Sequence, residues 1–470
     1  MEAKVAVDWL PVKVNDAILK ATYDKAAKTT KKVLVLVIAT KPCFYKEWSL
    51  MYECSKRSLP FIVLNTGQHF DDLLGYGVKE FRFEEHLAVD LQIRGDLSQK
   101  SAEMFLKTKW LAGHLKKNYP GVESWIYVNG DTISAAIIPA AWLFATNNKA
   151  VQGEAGLRGM APQFFRKLKE DTKFEQLVEQ QFNGTWMIDR SEPFPEQWDT
   201  YVAAAGCQFH FAPVALNKQH LEKEGYPQQR IFTTGNTVVD AINLKRAEKS
   251  KSQNSIFQEY PQLEKGEWLR IDIHRRDNLT ERRFKALMQG VMDLVAKDNK
   301  IVLVELTASR LALEKYNLRN KLVELSKKNE NFLFTPLWKE YGQVIEFLES
   351  RNCWSIYTDS GSMQEEMNEL GKTCLTARFN TDRPETVFDA KSNLLVPPFS
   401  PSFVTNTISK TYEDANLRKK MSRAKKLYGK NVAQKTIDIL EKLWKSNTPL
   451  FTSSHEDLGL WKEKDRLRYL

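Results

Sequence analysis

The sequence predicts an α/β protein with two doubly wound, Rossmann-like domains that face a cleft, and with an extra inserted segment in the N-terminal domain. The chain has 470 residues, whereas a single hydrophobic core stops growing at roughly 250–300 residues. Apolar runs that end in polar loops alternate with amphipathic helical segments, which indicates βαβ units. The alternation begins near residue 31 and begins again after residue 250. We therefore expect two domains of one class.

Buried parallel strands are predicted where a charge-flanked apolar run ends in a loop. In the first half these runs are KKVLVLVIAT (31–40), PFIVLNTGQH (60–69), SWIYVNGDT (124–132) and KAVQGEAGLRG (149–159). In the second half they are EWLRIDIHRR (267–276), KIVLVEL (300–306), NFLFTP (331–336), CWSIYTDSG (353–361) and KTCLTARF (372–379). Helical periodicity predicts helices within 100–119, 285–298, 342–350 and 428–446.

Breaks in this alternation set the predicted domain boundaries. Residues 160–193 carry charges and aromatic side chains without a βα unit, so we interpret them as an insertion with some helix. We expect an N-terminal domain over 1–240, a C-terminal domain over 241–430, and a helix and tail over 431–470 that cross back to the N-terminal domain. The aromatic residues of the insertion are expected to pack in a core: Phe164, Phe165, Phe174, Phe182 and Trp186.

Charge and cysteine content limit the compartment and the partners. A net charge of +10 indicates either a solvated basic surface or polyanionic partners. The five cysteines form no CxxC pair, which argues against a disulfide framework and a structural zinc site. The sequence contains neither a signal peptide nor an apolar run of the roughly 20 residues that span a bilayer. We expect a soluble, cytoplasmic protein that does not contact a membrane.

Polar clusters follow the predicted strands, and ligands of doubly wound sheets bind at the carboxyl ends of strands. Asp131, in VNGDT, is interpreted either as a helix N-cap or as a functional carboxylate. Glu154, in QGEAGLR, interrupts a strand-to-loop junction between glycines, which favours a functional role. Glu196, in FPEQW, is on its own typical of a surface residue.

A positive cluster is predicted in the second half of the chain. His274 ends a strand and precedes Arg275 and Arg276, an arrangement that suits phosphate groups. Asp277 would orient either arginine, and two further arginines would extend the patch: Arg378 and Arg383. Because the sequence lacks GxGxxG and GxxxxGK[ST] loops, nicotinamide redox chemistry and P-loop hydrolysis lose their usual markers. A cleft with carboxylates on one side and cations on the other suits a phosphorylated sugar.

Eight motifs in a fixed order resemble the UDP-N-acetylglucosamine 2-epimerase family: TGQH, GDT, GEAGLR, FHFAP, TGNTVVDA, HRR, TDSGSMQEE and RFNTDRPE. The resemblance covers about residues 33–440 and is interrupted by 160–193. It implies a GT-B-like fold with a UDP-sugar in the cleft, and no metal or other cofactor.

The resemblance also implies a role for each matching residue. The catalytic set would be Asp131, Glu154, Glu196 and His274. The start of the helix after TDSGS would bind the phosphates, and Glu366 would accept hydrogen bonds from the ribose. The full set of implied substrate-binding residues is Lys41, Lys46, Gln68, His69, Arg158, Arg275, Ser360, Gly361, Ser362, Glu366, Arg378 and Arg383.

The implied reaction is elimination of UDP, with loss of the C2 proton, to a glycal-like intermediate. Re-addition of UDP gives the C2 epimer, and addition of water gives N-acetylmannosamine and UDP. The first loop of the family has the pattern GTRPE. The corresponding residues here are ATKPC (39–43), so Lys41 replaces an arginine and Cys43 replaces an acid. Thr200 and Thr307 stand where the family has an arginine and a histidine. These exchanges put two phosphate or regulatory contacts in doubt.

Three functions are compatible with the sequence. The first is the epimerase or hydrolase reaction, which the retained acids and histidine favour. The second is a GT-B-fold glycosyltransferase that transfers a sugar from UDP to an acceptor; the basic charge favours it and points to a polyanion such as modified DNA. The third is a nucleotide-sugar sensor without activity. The UDP-sugar is the expected small-molecule partner, while nucleic acid and a homodimer stay open.

Overall fold

Strands and helices alternate over the residues that the computed structural model describes, which are 12–68, 77–248, 255–446 and 448. The strands in these ranges are β1 (Lys13–Val14), β2 (Lys32–Ile38), β3 (Phe61–Asn65), β4 (Leu87–Asp90), β5 (Glu123–Asn129), β6 (Ala150–Gly153), β7 (Met160–Pro162), β8 (Trp186–Ile188), β9 (Phe209–Ala212), β10 (Ile231–Thr233), β11 (Trp268–Asp272), β12 (Lys300–Glu305), β13 (Phe332–Pro336), β14 (Cys353–Thr358), β15 (Thr373–Thr376) and β16 (Asn393–Leu395).

α-Helices in the same ranges connect most strands of the two larger sheets, as in βαβ units. They are α1 (Asp16–Lys28), α2 (Lys41–Lys56), α3 (Leu97–Asn118), α4 (Ile133–Thr146), α5 (Phe174–Asn183), α6 (Glu196–Gly206), α7 (Ala215–Lys223), α8 (Val238–Glu248), α9 (Ile256–Glu259), α10 (Glu281–Ala296), α11 (Thr307–Lys315), α12 (Arg319–Lys328), α13 (Tyr341–Glu349), α14 (Gly361–Leu370), α15 (Glu385–Phe388), α16 (Pro401–Glu413), α17 (Ala415–Ser422) and α18 (Val432–Lys445).

The chain divides into two compact units. The first unit contains the described residues of 1–157, 198–241 and 430–470. The second unit contains the described residues of 158–197 and 242–429.

The first unit is built on an eight-stranded sheet in the order β1-β4-β3-β2-β5-β6-β9-β10. Its strand pairs are parallel except for the edge pair of β1 with β4. The central strand β2 is buried from Val33 to Ile38, as expected for a strand that is covered by helices on both faces. The strand order reverses next to β2, so the carboxyl ends of β2, β5 and β6 form the usual ligand-binding edge of such a sheet.

The second unit repeats this design with a six-stranded sheet in the order β13-β12-β11-β14-β15-β16. All five strand pairs are parallel. In this sheet the strand order reverses between β11 and β14. The ligand-binding edge is therefore expected at the carboxyl ends of these two strands. The prediction of two doubly wound α/β units is confirmed.

Helical periodicity buries one face of each covering helix. In α10, residues Phe284, Leu287, Val291 and Leu294 are fully buried and join the core of the second unit. Their spacing of three or four residues places them on one side of the helix. The helix predicted within 285–298 therefore has the expected period, but it begins earlier, at Glu281.

The segment 160–193 belongs to the second unit, whereas the sequence led us to place it in the N-terminal domain. Its helix α5 contributes Phe174 and Phe182 to the core of that unit. The side chain of Gln181 bonds to the backbone of Leu395 twice, donating from Nε2 at 3.0 Å and accepting at Oε1 at 2.7 Å. Apolar burial and a satisfied buried amide thus fix the segment to β16. Contacts this distant along the chain leave no local pattern in the sequence.

The C-terminal helix α18 packs on α2 within the first unit. Val432, Ile437 and Leu440 are buried. Arg57, which follows α2, donates to Asp438 at 2.6 Å and to Glu441 at 2.7 Å. All five cysteines are buried, and none forms a disulfide. Across the described ranges, no helix combines the length and the apolar character of a membrane span.

Candidate functional site

The loop after β5 brings Asp131 to the start of α4. The N-cap of α4 is Thr132, whose Oγ1 accepts from the N–H of Ala135 at 3.1 Å. Helix capping therefore does not account for Asp131. The carboxyl lies at the strand end where the sequence analysis placed it.

Glu154 follows β6 in a strained and buried position. Its φ of 54° is in the left-handed region, which side chains other than glycine seldom adopt, and its side chain is only 7% exposed. Its Oε1 forms an ion pair with Lys46 of α2 and accepts from Nδ2 of Asn236 at 2.7 Å. Strain of this kind concentrates at functional sites, where the surrounding contacts hold it.

Gly130 lets the carboxyl group of Glu154 approach the loop that carries Asp131. Its φ is 75°, and a Cβ at this position would lie 2.9 Å from Oε2 of Glu154. Any other residue would therefore displace this carboxylate. Asp131 and Glu154, two of the three acids implied by the family resemblance, lie in neighbouring loops of one unit.

The other candidates of the first unit lie around the starts of α2 and α4. Lys41 is the first residue of α2. Gln68 accepts at Oε1 from the N–H of Ser134 at 3.2 Å and from its Oγ at 2.8 Å, which ties the TGQH loop to α4. His69 lies outside the described residues, so its predicted role stays a prediction.

In the second unit, α14 begins where the TDSGS motif predicts an anion-binding turn. Ser360 is its N-cap and accepts from the N–H of Met363 at 3.5 Å. A Cβ at Gly361 would lie 2.7 Å from Nη1 of Arg383, so glycine allows this guanidinium to lie against the helix start. Unsatisfied N–H groups and the helix dipole make such an N-terminus favourable for phosphate.

Glu366 lies one turn further along α14 and is almost fully buried, at 1% exposed. Its Oε2 accepts from the hydroxyl of Tyr341, and its Oε1 from the hydroxyl of Ser362, each at 3.1 Å. Two donors therefore fix the orientation of this carboxylate. A carboxylate also has lone pairs for further donors, such as hydroxyl groups of a sugar.

Asp359 organises the loop that carries His274. Its carboxylate accepts from the N–H of His274 at 3.0 and 3.1 Å, and from the N–H of Arg275 at 3.0 Å. Nδ2 of Asn278 donates to it at 3.0 Å. Nδ1 of His274 lies 2.9 Å from Oδ1 of Asp359 in an ion-pair contact, without the alignment of a hydrogen bond.

The charge of Asp359 is well stabilised although the residue is completely buried. Burial alone raises the pKa of such a carboxyl, but the positive charge of His274 and the hydrogen bonds lower the pKa of Asp359 to about 2. The carboxylate therefore stays ionised and holds the imidazole in a fixed position.

Glu196 forms an ion pair with Arg275, which places both of these predicted residues in the second unit together with His274. The preceding Glu192 is bound at Oε1 by Arg283 at 2.5 Å, and its carbonyl accepts from Asn380 at 2.8 Å. These contacts fix the loop that contains Glu196 (PFPE, 193–196) to the second unit. Asp277 is near the same cluster: burial raises its pKa, and the negative charge of Glu192 adds to the effect.

Three arginines of the predicted substrate-binding set are buried. Arg378 binds Asp382 at 3.0 Å, while Arg383 binds Asp382 at 2.5 Å and Glu365 at 3.0 Å. Although burial opposes it, these arginines lower the pKa of Asp382. Arg158 is completely buried. The acids that pair with Arg378 and Arg383 were not anticipated from the sequence, and binding of phosphate by these arginines stays a prediction.

No group of three or more His, Cys, Asp or Glu side chains with the geometry of a metal site occurs in the part of the chain that the structure describes. The charged groups of the candidate site instead pair with one another.

Comparisons with known proteins identify the family. The family model described as UDP-N-acetylglucosamine 2-epimerase matches residues 183–441, which is more than half of the chain. The chain belongs to the UDP-N-acetylglucosamine 2-epimerase family. The resemblance carried by the eight motifs is thereby confirmed.

Relatives named UDP-N-acetylglucosamine 2-epimerase cover most of the chain. The protein from Methanocaldococcus jannaschii is 26% identical over 77% of this chain and 88% of its own length. The protein from Campylobacter jejuni is 28% identical over 88% of this chain and 98% of its own length. The similarity to these relatives therefore extends over both halves of the sequence.

Solved structures of the family share the fold. The UDP-GlcNAc 2-epimerase from Neisseria meningitidis, bound to UDP-GlcNAc, aligns with a TM-score of 0.68 at 23% identity over 87% of this chain and all of its own. The Methanocaldococcus jannaschii enzyme, in complex with UDP-GlcNAc and UDP, aligns with a TM-score of 0.69 at 22% identity over 87% of this chain and 99% of its own. The GT-B-like fold class predicted from the sequence is confirmed.

Several residues that shape the site were not predicted from the sequence. Asp359 and Asn236 lie inside the motifs TDSGS and TGNTVVDA, but only the structure shows that Asp359 binds the backbone of His274 and that Asn236 binds Glu154. Tyr341 and Glu47 lie in helices and outside the motifs. No local signal in the sequence distinguishes these two residues from core positions.

Proposed function

We propose that this protein acts on UDP-N-acetylglucosamine, eliminating UDP and then re-adding UDP to give the C2 epimer or adding water to give N-acetylmannosamine and UDP. Family membership and the retention of every proton-transfer candidate support the proposal. The observation that carries it most is the buried ion pair of Glu154 with Lys46. It places a carboxylate in a strained, nearly dry position, which a proton abstraction from carbon requires.

The second unit would hold the nucleotide. The diphosphate would bind at the N-terminus of α14, where Ser360 and Gly361 begin the helix. Glu366, fixed by Tyr341 and Ser362, would accept hydrogen bonds from the ribose hydroxyls. A diphosphate needs hydrogen-bond donors and positive charge, whereas the ribose hydroxyls need an acceptor. A helix N-terminus that is followed by a carboxylate one turn later provides both.

His274 and Arg275 would stabilise the departing UDP. The bond between C1 and the phosphate oxygen breaks with its electron pair on that oxygen, so negative charge grows on the leaving group. Cations that are held in place before the reaction stabilise such charge without reorganisation. Asp359 holds the backbone of both residues, which supports a fixed position for them. Because these cations offset the leaving-group charge, we propose that no metal is required.

Glu154 would take the C2 proton. As the C2–H bond breaks, the new O–H bond forms on its carboxylate, and the electron pair makes the C1–C2 double bond. Asp131 and Glu196 would serve as the other proton-transfer groups. Lys46 stabilises the ionised form of Glu154 by direct pairing, which keeps this carboxylate ready to accept a proton.

The product mixture tests the proposal against the glycosyltransferase alternative. The protein is incubated with UDP-N-acetylglucosamine alone, and UDP, UDP-sugars and free sugars are separated by chromatography. We expect the manno epimer, as UDP-sugar or as free sugar with UDP, in the absence of any acceptor. Release of UDP only after an acceptor such as DNA is added would contradict the proposal and support the transferase.

A further inference from the structure

Glu196 lies near the end of a loop that is closed at its base. We call residues 189–197 the Glu196 loop; it follows β8 and lies within the second unit. The carbonyl of Gly159 accepts from the N–H of Asp189 at 2.8 Å. The N–H of Gly159 donates to Oε1 of Gln197, also at 2.8 Å. One residue therefore holds both ends of the loop.

The last part of the Glu196 loop is stiff. The N–H of Gln197 donates to the carbonyl of Pro193 at 2.9 Å and closes a turn. The rings of Pro193 and Pro195 restrict φ at two positions inside this turn. A contact that holds Glu192, the residue before the turn, therefore also sets the place of Glu196.

Two neighbouring residues of the motif RFNTDRPE hold Glu192. Asn380 donates from Nδ2 to the carbonyl of Glu192 at 2.8 Å. The guanidinium of Arg283 lies over the ring of Phe379, 5.0 Å from its centroid, and Arg283 binds the carboxylate of Glu192 at 2.5 Å. The backbone and the side chain of Glu192 are thus both fixed from one short stretch of the chain.

The carboxylate of Glu196 has one engaged and one open oxygen. Its Oε1 pairs with Arg275, whereas its Oε2 is buried and has no hydrogen-bond partner in the described part of the protein. A group that transfers a proton must lie within about 2.6–3.2 Å of its target. A misplacement of about 1 Å lowers the rate by as much as a hundredfold. The place of Oε2 therefore depends on how firmly the loop is held.

We propose that Asn380 is a positioning residue for Glu196 that acts through the carbonyl of Glu192. Asn380 is 1% exposed, so its amide serves the loop and not a substrate. The role of Glu196 in proton transfer rests on the proposed function, whereas the hold of Asn380 on the Glu196 loop does not.

Hydrogen exchange of the Glu196 loop, followed by mass spectrometry, tests this hold without any assay of activity. Asn380→Asp keeps the size of the side chain but removes the N–H that donates to Glu192. The loss of a hydrogen bond worth about 0.5–1.5 kcal/mol should speed exchange in the loop by roughly two- to tenfold. Unchanged exchange there would overturn the proposal.

Asn368→Asp is the matched control. Asn368 is also buried, at 2% exposed, and donates from Nδ2 to the carbonyl of Lys425 at 2.9 Å in the same unit. The same exchange of amide for carboxylate should leave the Glu196 loop as it is in the wild type. Equal acceleration of the loop in both variants would show general loosening of the unit and would overturn the proposal.

A double-mutant cycle in turnover tests whether Asn380 acts through Glu196. With Glu196 present, Asn380→Asp should lower kcat for UDP-N-acetylglucosamine by up to roughly a hundredfold and leave KM almost unchanged. In the Glu196→Gln background it should have little further effect, because the group that it positions is already disabled. The same factor in both backgrounds would mark a merely structural role and contradict the proposal.

Asn380→Ala separates the two ends of the amide. The amide oxygen of Asn380 accepts from Nη2 of Arg378 at 3.5 Å, and Asn380→Asp retains an oxygen for this contact. We expect similar losses of kcat in the two variants, since both lack the donor to Glu192. A loss in Asn380→Ala alone would assign the effect to Arg378 and overturn the proposal. If the wild type does not convert the UDP-sugar, the proposed function fails, while hydrogen exchange still decides whether Asn380 holds the loop.

Discussion

Two buried carboxyls, one in each unit, have opposite surroundings. In the first unit, burial and then the charge of Glu154 raise the pKa of Glu47 well above its ordinary value. In the second unit, the positive charge of His274 and several hydrogen-bond donors lower the pKa of Asp359 to about 2 despite its burial. The contrast belongs to these two sites and not to the units as wholes, since burial also raises the pKa of Glu385 in the second unit to about 7. A buried carboxyl is therefore ionised where cations and donors are directed at it, and it keeps its proton where burial outweighs them.

Glu154→Gln, in the first unit, should have the largest effect on the proposed reaction. The amide keeps the shape of the side chain but cannot accept the C2 proton, so we expect a loss of roughly 10²–10⁴-fold in proton exchange at C2. Affinity for UDP, measured by calorimetry, should change little because the proposed diphosphate and ribose contacts, at the start of α14 and at Glu366, lie in the second unit. Glu53→Gln serves as the control on α2. Retained exchange in Glu154→Gln would show that another group is the base.

Asp359→Asn should have the next largest effect, because it breaks the support of His274. Asparagine keeps an acceptor oxygen but loses the charge, and the loss of one charge-assisted hydrogen bond costs about 1.5–3 kcal/mol, so we expect UDP release to fall by roughly ten- to a hundredfold. Steady-state kinetics of UDP release check this. Asp414→Asn is a control in the same unit, since Asp414 only caps α17, accepting from Leu417 at 2.9 Å. Equal losses in both variants would contradict a specific role of Asp359.

The same carboxyl makes the protein sensitive to acid. Since the folded pKa of Asp359 is depressed to about 2 from its ordinary 3.8, its contribution to stability is present above that ordinary value. It is lost as pH falls toward about 2. When pH is lowered from about 5 to about 2, the Tm should fall more steeply for the wild type than for Asp359→Asn. Equal slopes would show that another carboxyl dominates.

Gly361→Ala should have an intermediate effect on the anion site. The new Cβ would lie 2.7 Å from Nη1 of Arg383, and that guanidinium is fixed by Asp382 and Glu365. Overpacking of this kind costs about 1–3 kcal/mol, so both the Tm and the affinity for UDP should fall. Gly342→Ala is the control, because a Cβ there meets nothing within 4 Å. Unchanged UDP affinity in Gly361→Ala would place the diphosphate elsewhere.

Tyr341→Phe should have the smallest effect. It removes the hydroxyl that donates to Glu366, a hydrogen bond worth about 0.5–1.5 kcal/mol. UDP affinity should therefore fall by up to roughly tenfold, while the affinity for uracil alone should not change. Loss of uracil binding in this variant would show that Tyr341 supports the base and not the ribose-binding carboxylate.

Sequence patterns predicted the sheets because a strand buried on both faces is a short apolar run, such as 33–38 of β2, whatever its partners are. They singled out Glu154 and His274 because polar residues at the ends of such runs lie at the ligand-binding edge of each sheet. They did not predict which charges pair. Arg383 binds two buried acids, so its contact with phosphate stays a prediction. The segment around Gln181 lies in the second unit and not in the N-terminal domain, since its contact with Leu395 spans more than two hundred residues. Such pairings depend on the folded chain and not on local sequence.

Deuterium exchange at C2 of the sugar tests the central claim most directly. The protein is incubated with UDP-N-acetylglucosamine in deuterated water, and the sugar is followed by NMR. Elimination of UDP with loss of the C2 proton predicts deuterium at C2 of the product epimer in the wild type, and its absence in Glu154→Gln. Conversion of the substrate without deuterium at C2, or no conversion at all, would contradict the account.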